Sequence, residues 1–319
     1  MTQNAGATQA HEATTVVCRD GVALGGDLFR AMGGTAKGAV VVNAATGVAA
    51  RYYHRYARFL AGHGFDVLTY DYRGIGRSRP ERLRGCGFRW RDWGEKDFDA
   101  ALRHARAASP NGPALVVGHS IGGFLPGMAD SAPMIDRMLT VGAQYAFWPD
   151  YAARGRARLF LKWHVAMPAL TAAFGYFPGR RLGWLEDLPS GVAYEWSFRG
   201  RRFERSHPAA EREAVLDRFR AVRGQILAVS LSDDDLGTPA ATARGLAPYE
   251  NAERILARLR PQDFGQAHIG HFSLFHDRNE AGFWTDSLAF LEDGRNPWPA
   301  RAAPFAPSPA RTRSAPRPA

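Results

Sequence analysis

From about residue 39 the chain alternates short apolar runs with stretches in which apolar residues recur every three to four positions. That rhythm predicts strand and helix units feeding a mainly parallel sheet, an α/β fold. Residues 39–45 (AVVVNAA) read as a buried strand. Residues 51–63 place Tyr52, Tyr56, Phe59 and Leu60 on one helical face, and Gly64 ends that helix before a second strand at 65–70. A further helix is predicted over 93–108 with Phe98, Leu102 and Ala105 inward. A strand at 114–117 runs straight into Gly118, and another follows at 137–142. Upstream, residues 15–29 read as an antiparallel hairpin turning at Arg19-Asp20-Gly21.

The rhythm breaks between Tyr145 and about Arg218, a region rich in Trp, Phe, Pro, Gly and Arg with no alternating strand pattern. An inserted helical cap is expected there. Order returns with a strand at 225–231, a helix from about Pro239, a strand at 255–259 and an amphipathic helix at 280–291. The expected organisation is a disordered start over 1–14, one domain over 15–294 with its cap at about 145–218, and a disordered Pro/Ala/Arg tail over 295–319 with no apolar face to bury.

Composition narrows the function classes. With 319 residues, 45% of them hydrophobic, the chain can bury a large core. The formal charge of +10 suggests an acidic partner, but Arg295, Arg301, Arg311, Arg313 and Arg317 supply part of it in a terminal stretch with no acid after Asp293. The body is mildly basic and carries no aromatic-basic stripe, so no nucleic-acid partner is expected. Two cysteines, Cys18 and Cys86, are too few for a disulfide scaffold or a zinc site. The first residues lack the basic start and apolar run of a secretory signal, which points to a cytoplasmic protein. The longest apolar stretch, 159–177, contains Lys162 and His164 and is interrupted by Pro168 and Gly175, so no membrane span is expected.

The chemistry is concentrated at Gly118-His119-Ser120-Ile121-Gly122-Gly123, a G-x-S-x-G placed directly between a buried strand and a helix beginning near Ile121. On such a turn the serine sits in a strained backbone, and the flanking glycines let strand and helix approach. Ser120 is the candidate nucleophile, with the Ile121 N–H as one oxyanion donor. A serine hydroxyl needs a base and an orienting acid, which on a strand-turn-helix elbow follow in the order Ser, acid, His. His271, beside Gly270 and Phe272, is the candidate base, His268 the alternative, and His276 reads as a cap or surface residue. Asp233, Asp234 and Asp235 follow the strand at 225–231. Counting from the strand start favours Asp234 and counting back from Pro239 favours Asp235, and Asp234 is chosen. A metal is not expected at this triplet, because adjacent side chains on an extended turn point apart. The second oxyanion donor is placed in the loop Ala45-Thr46-Gly47-Val48, with the Val48 N–H first and Thr46 second.

Together these residues resemble a bacterial α/β-hydrolase family whose substrates are largely unassigned, related to the serine aminopeptidase-like and monoglyceride-lipase-like hydrolases. The resemblance spans about residues 15–292. It rests on Ala45-Thr46-Gly47-Val48, on the turn from Asp71 to Ser78 (DYRGIGRS) and on the Ser120 elbow. In the cap it rests on GYFPG at 175–179, on Leu182-Gly183 and on EDLP at 186–189, and beyond the cap on Ser232-Asp233-Asp234 and Gly270-His271-Phe272. It implies the α/β-hydrolase fold, no cofactor, and Ser120, Asp234 and His271 as the triad. The turn at 71–78 is expected to brace the site without taking part in chemistry. Many relatives carry His-Gly after the first parallel strand where this chain has Thr46-Gly47, which leaves the donor's register open by one residue.

The expected activity is hydrolysis of a carboxylic ester of a small-molecule acyl substrate through an acyl-enzyme on Ser120. Acyl transfer by the same triad, or ligand binding without catalysis, are the alternatives. Among the cap aromatics, Phe147, Trp148, Trp163 and Phe174 are the candidate substrate-binding residues.

Overall fold

The computed structural model describes residues 11–305. Its strands are β1 (His11–Val17), β2 (Ala23–Phe29), β3 (Ala39–Asn43), β4 (Asp66–Tyr70), β5 (Ala114–His119), β6 (Arg137–Val141), β7 (Tyr176–Phe177), β8 (Leu188–Pro189), β9 (Gln225–Leu231), β10 (Glu253–Leu259) and β11 (Ala302–Pro304). Nine of them form one sheet in the order β1-β2-β4-β3-β5-β6-β9-β10-β11, while β7 and β8 pair separately. The strands from β4 to β10 run parallel; β1, β2 and β11 are antiparallel additions at the edges. Strands β3, β4 and β5 are buried along their whole length, which is why they read as continuous apolar runs rather than alternating ones.

The sheet order reverses at β3, which has β4 on one side and β5 on the other. The loops leaving the carboxyl ends of β3 and β5 therefore diverge and open a crevice between them, the usual position for a ligand on such a sheet. Helices cover both faces. His54–Gly62 buries Tyr56, Ala57, Leu60 and Ala61, and Asp99–Ala108 buries Ala101, Leu102 and Ala105. The expected hairpin is present, with Gly21 in the left-handed region at φ 81° in its turn.

Three expectations are corrected. The helix after Ser120 is two 3-10 turns, Ser120–Gly123 and Leu125–Met128, because Gly122, Gly123, Pro126 and Gly127 do not sustain an α-helix. The insert is shorter than 145–218. Helix Arg212–Ala221 buries Val215 and Phe219, and Phe219 packs 5.0 Å from Phe124 and 4.8 Å from Tyr249 between ring centres, so this helix belongs to the body. The proposed disordered ends at 1–14 and 295–319 are ordered in part: β1 begins at His11, and β11 adds to β10. Residues 1–10 and 306–319 lie outside the described residues.

The described part of the tail, up to Phe305, docks because its composition conceals two aromatics. Trp298 stacks on Phe283 at 5.6 Å and donates its indole N–H to Asp286 at 3.0 Å, and Phe305 lies under the Arg254 guanidinium. Truncation at Pro297 is expected to cost about 2–4 kcal/mol, since it removes a buried Trp and uncovers β10. A melting temperature unchanged by that truncation would show that the docked segment adds no stability.

Candidate active site

The elbow is built by close backbone approach. A Cβ on Gly118 would lie 2.4 Å from the Cα of Gly123, and one on Gly122 2.4 Å from the carbonyl oxygen of Asn43. Only glycine allows this contact. Asn43, fully buried at the end of β3, fixes the turn from the other side by donating its Nδ2 to the Gly122 carbonyl at 3.1 Å. Ser120 is consequently held at φ 56°, a left-handed conformation that costs a non-glycine residue about 1 kcal/mol or more.

The three consecutive aspartates have three different tasks. Asp234 accepts the Leu236 and Gly237 N–H groups on Oδ1, at 2.8 and 2.9 Å, and its Oδ2 lies 2.6 Å from His271 Nδ1. Burial pushes its carboxyl upward, but His271 and the two N–H donors outweigh burial and hold it below the ordinary carboxylate range. Asp233 accepts from the backbone N–H groups of Ile269 and Gly270, at 2.8 and 2.9 Å, and so fixes the loop that carries His271. The exposed His268 sits 2.7 Å from the same carboxylate and does not enter the cavity lining. Asp235 faces the insert and pairs with Arg154 at 2.6 Å. Gly142 lies under the Asp234–His271 pair; a Cβ there would be 2.8 Å from Asp234 Oδ2.

His119, inside the G-x-S-x-G, is fully buried and joins three loops. Its Nε2 lies 2.8 Å from the His271 carbonyl oxygen, which can only accept, so Nε2 carries the proton. Its Nδ1 then accepts from the Tyr53 hydroxyl at 2.7 Å, and that hydroxyl accepts the Ala45 N–H at 2.9 Å. Burial, together with the nearby His271, pushes the His119 pKa down to about 3 and keeps the ring neutral. The loop after β3, the elbow and the His271 loop are thus tied by one hydrogen-bonded chain of fixed polarity.

Ser120, His271 and Thr46 line one cavity of about 760 Å³ at the carboxyl ends of the strands. The Val48 N–H, first choice as second oxyanion donor, already donates to the Ala45 carbonyl at 3.2 Å and closes the turn, while Thr46, the second choice, lines the cavity. Gln144, on the loop after β6, was not legible in the sequence as anything but a lone polar residue. Its Oε1 accepts the Ala146 N–H, which orients the amide so that Nε2 donates to Ser120 Oγ at 3.4 Å. Ala146 holds this geometry at φ 63°.

Of the four candidate aromatics, only Trp163 lines the cavity. Phe147 packs against the Arg244 guanidinium, Trp148 against Phe160, and Phe174 against Arg181. The wall is instead a row of tryptophans: Trp184 edge-on to Trp163 at 5.7 Å, Trp163 stacked on Trp196 at 4.7 Å, and Trp196 on Trp90 at 6.0 Å. Trp90 precedes the Asp99–Ala108 helix in the body, so only the folded chain brings it to the insert. His276, read as a cap or surface residue, also lines the cavity, 2.9 Å from the Tyr52 hydroxyl. The turn at 71–78 braces the site as expected: Asp71 accepts the Ala50 N–H at 2.7 Å and the Arg77 N–H at 2.9 Å.

Elsewhere, His11, Asp27 and His54 bring ligand atoms within 4.8 Å of one another, but Arg77 bonds both oxygens of Asp27 where a cation would sit. Among the described residues no helix is long and apolar enough to cross a membrane.

Residues 34–181 match the model of a hydrolase family described as serine aminopeptidase, S33. Among solved structures the chain is similar to an esterase of Pyrococcus furiosus, at 16% identity over 89% of this chain and 90% of that one with a TM-score of 0.54. It is similar to a hypothetical protein of Pseudomonas aeruginosa at 16% identity, over 92% of this chain and 98% of that one, with a TM-score of 0.60. A third likeness is to the esterase domain of a Rhodothermus marinus protein, at 19% identity over 88% and 97% with a TM-score of 0.52. At these identities the likeness is one of fold.

Proposed function

We propose that the chain, which has the α/β-hydrolase fold and matches a hydrolase family model over residues 34–181, is a serine hydrolase cleaving a carboxylic ester through an acyl-enzyme on Ser120. The observation that carries this reading is the 2.6 Å contact between His271 Nδ1 and Asp234 in a cavity that Ser120 also lines. With Nδ1 committed to the carboxylate, Nε2 is the nitrogen free to act as base. It takes the Ser120 hydroxyl proton as Oγ attacks the ester carbonyl, and the new oxyanion is met by the N–H groups of Ile121 and Thr46. Collapse breaks the ester bond, and the alcohol leaves with the proton from His271. Water then attacks the acyl carbon, gives a proton to the same nitrogen and releases the acid, and Ser120 recovers its hydrogen.

The first test is labelling with a fluorophosphonate, expected to place one adduct on Ser120. An unlabelled protein, or an adduct elsewhere, would overturn the assignment.

Gln144 adds a donor to the attacking oxygen itself. Gln144→Glu keeps an acceptor for Ala146 but replaces the donor with a negative oxygen beside Ser120. It is expected to lower kcat by about 10²-fold, near the low end for loss of a donor in such a site. The check is kcat for Gln144→Glu alongside its melting temperature. Parent-like turnover would show that the amide serves only the Ala146 turn.

A further inference from the structure

The charged groups around the cavity are matched with one exception. Arg51 lies 3.5 Å from Glu186, Arg55 lies 3.0 Å from Asp277, and Glu186 is also held by Arg180 at 2.6 Å. Lys162 also lines the cavity, yet among the described residues no carboxylate lies within ion-pairing distance of its Nζ. The ammonium is instead wedged between two indoles, 4.4 Å from the ring centre of Trp163 and 4.3 Å from that of Trp184. Burial holds it below the usual lysine range, the direction expected for a cation short of anionic partners. An ammonium has three N–H donors and the two π faces engage at most two of them, so at least one remains for a ligand. Lys162 and Trp163 also fall in the widened π-helical turn Leu161–Ala166, a local geometry found disproportionately at functional positions.

We propose that Lys162 is an anion-binding subsite of the catalytic cavity, and that the substrate is an ester carrying a carboxylate at the far end of an apolar arm. The arm lies along Trp163 and Trp184, and the carboxylate meets the Lys162 ammonium. This inference rests on the ester-hydrolase reading for the identity of the reacting bond, and on the cavity alone for the anion site.

The test uses the full chain carrying Ser120→Ala, so that nothing is turned over, titrated with monomethyl adipate and with its neutral counterpart dimethyl adipate. Tryptophan fluorescence is the readout, because the indoles concerned touch Lys162. The monoester is expected to bind about 10- to 100-fold more tightly, the range of a hydrogen bond to a charged group. That preference is expected to vanish on adding Lys162→Gln, to survive Lys162→Arg, and to weaken with salt. Equal binding of the two esters, or a preference that survives Lys162→Gln, would overturn the proposal; in the second case Arg51 or Arg55 would hold the anion.

A parallel assay on the parent protein compares kcat/KM for the p-nitrophenyl half-ester of adipate with that for p-nitrophenyl hexanoate. Turnover of both esters without preference would sink the subsite and leave the hydrolase reading intact. A binding preference in a protein that cleaves neither would do the reverse.

Discussion

Ser120→Ala is expected to fold as the parent does and to lose ester turnover by on the order of 10⁴- to 10⁶-fold in kcat, the range seen when an acyl-transfer nucleophile is removed. The two halves of this expectation have separate causes. Activity goes because the substitution removes the Oγ proposed to attack the ester carbonyl. Stability stays because alanine keeps the Cβ and therefore the same φ 56° backbone, and the side-chain bond lost, to Gln144 at 3.4 Å, is long and weak. Ser120→Gly separates the two further, since it removes the left-handed penalty and should gain about 1 kcal/mol while being equally inactive. Kinetics with a chromogenic ester, read beside thermal denaturation of both variants, provide the measurement. Appreciable turnover by purified Ser120→Ala would place the nucleophile elsewhere.

Asp234→Asn is expected to lower kcat by on the order of 10⁴-fold, whereas its two neighbours should be far more tolerant. An amide can turn its NH₂ toward His271, which then presents the wrong tautomer to Ser120 and has no carboxylate to balance the imidazolium. Asp233→Asn should cost less, because it weakens only the bonds that hold the loop at Ile269 and Gly270. Asp235→Asn should cost least, since its partner Arg154 is well exposed and such pairs contribute little. Parallel kcat values for the three single variants check the order. A larger loss at Asp235 than at Asp234 would move the acid by one position.

Much of this site is legible in the sequence because its parts are local. The elbow combines a buried apolar run, two close-approach glycines and a serine within one short segment, and the proposed acid and base fall in the loops after β9 and β10. The choice between Asp234 and Asp235 was not local: it depends on which carboxylate faces His271 and which faces Arg154. The role of Gln144 depends on the conformation of Ala146, and that of His119 on Tyr53 from a distant segment. The tryptophan row joins Trp90 of the body to Trp163, Trp184 and Trp196 of the insert, so composition pointed to an aromatic wall but not to its members. The tail misled for the opposite reason. Its proline and arginine content dominates any compositional reading, while Trp298 and Phe305 determine where its described residues lie.

The insert leaves and rejoins the body at a single point. The Tyr145 hydroxyl donates to the Arg201 carbonyl at 2.5 Å, and the rings of Tyr145 and Phe203 both pack 4.9 Å from that of Phe124. For a chain excursion pinned at such a neck, the closure-entropy part of a change in length is small, about 0.6 kcal/mol for each doubling of the loop, and what such a change must keep is packing such as that of Trp196 on Trp90. Lys162, Trp163, Trp184 and Trp196 lie within the excursion, while Ser120, Asp234 and His271 lie outside it. Inheritance can therefore act on the two separately: insertion, deletion or recombination between the neck residues would replace the proposed substrate wall while leaving Ser120, Asp234 and His271 unaltered.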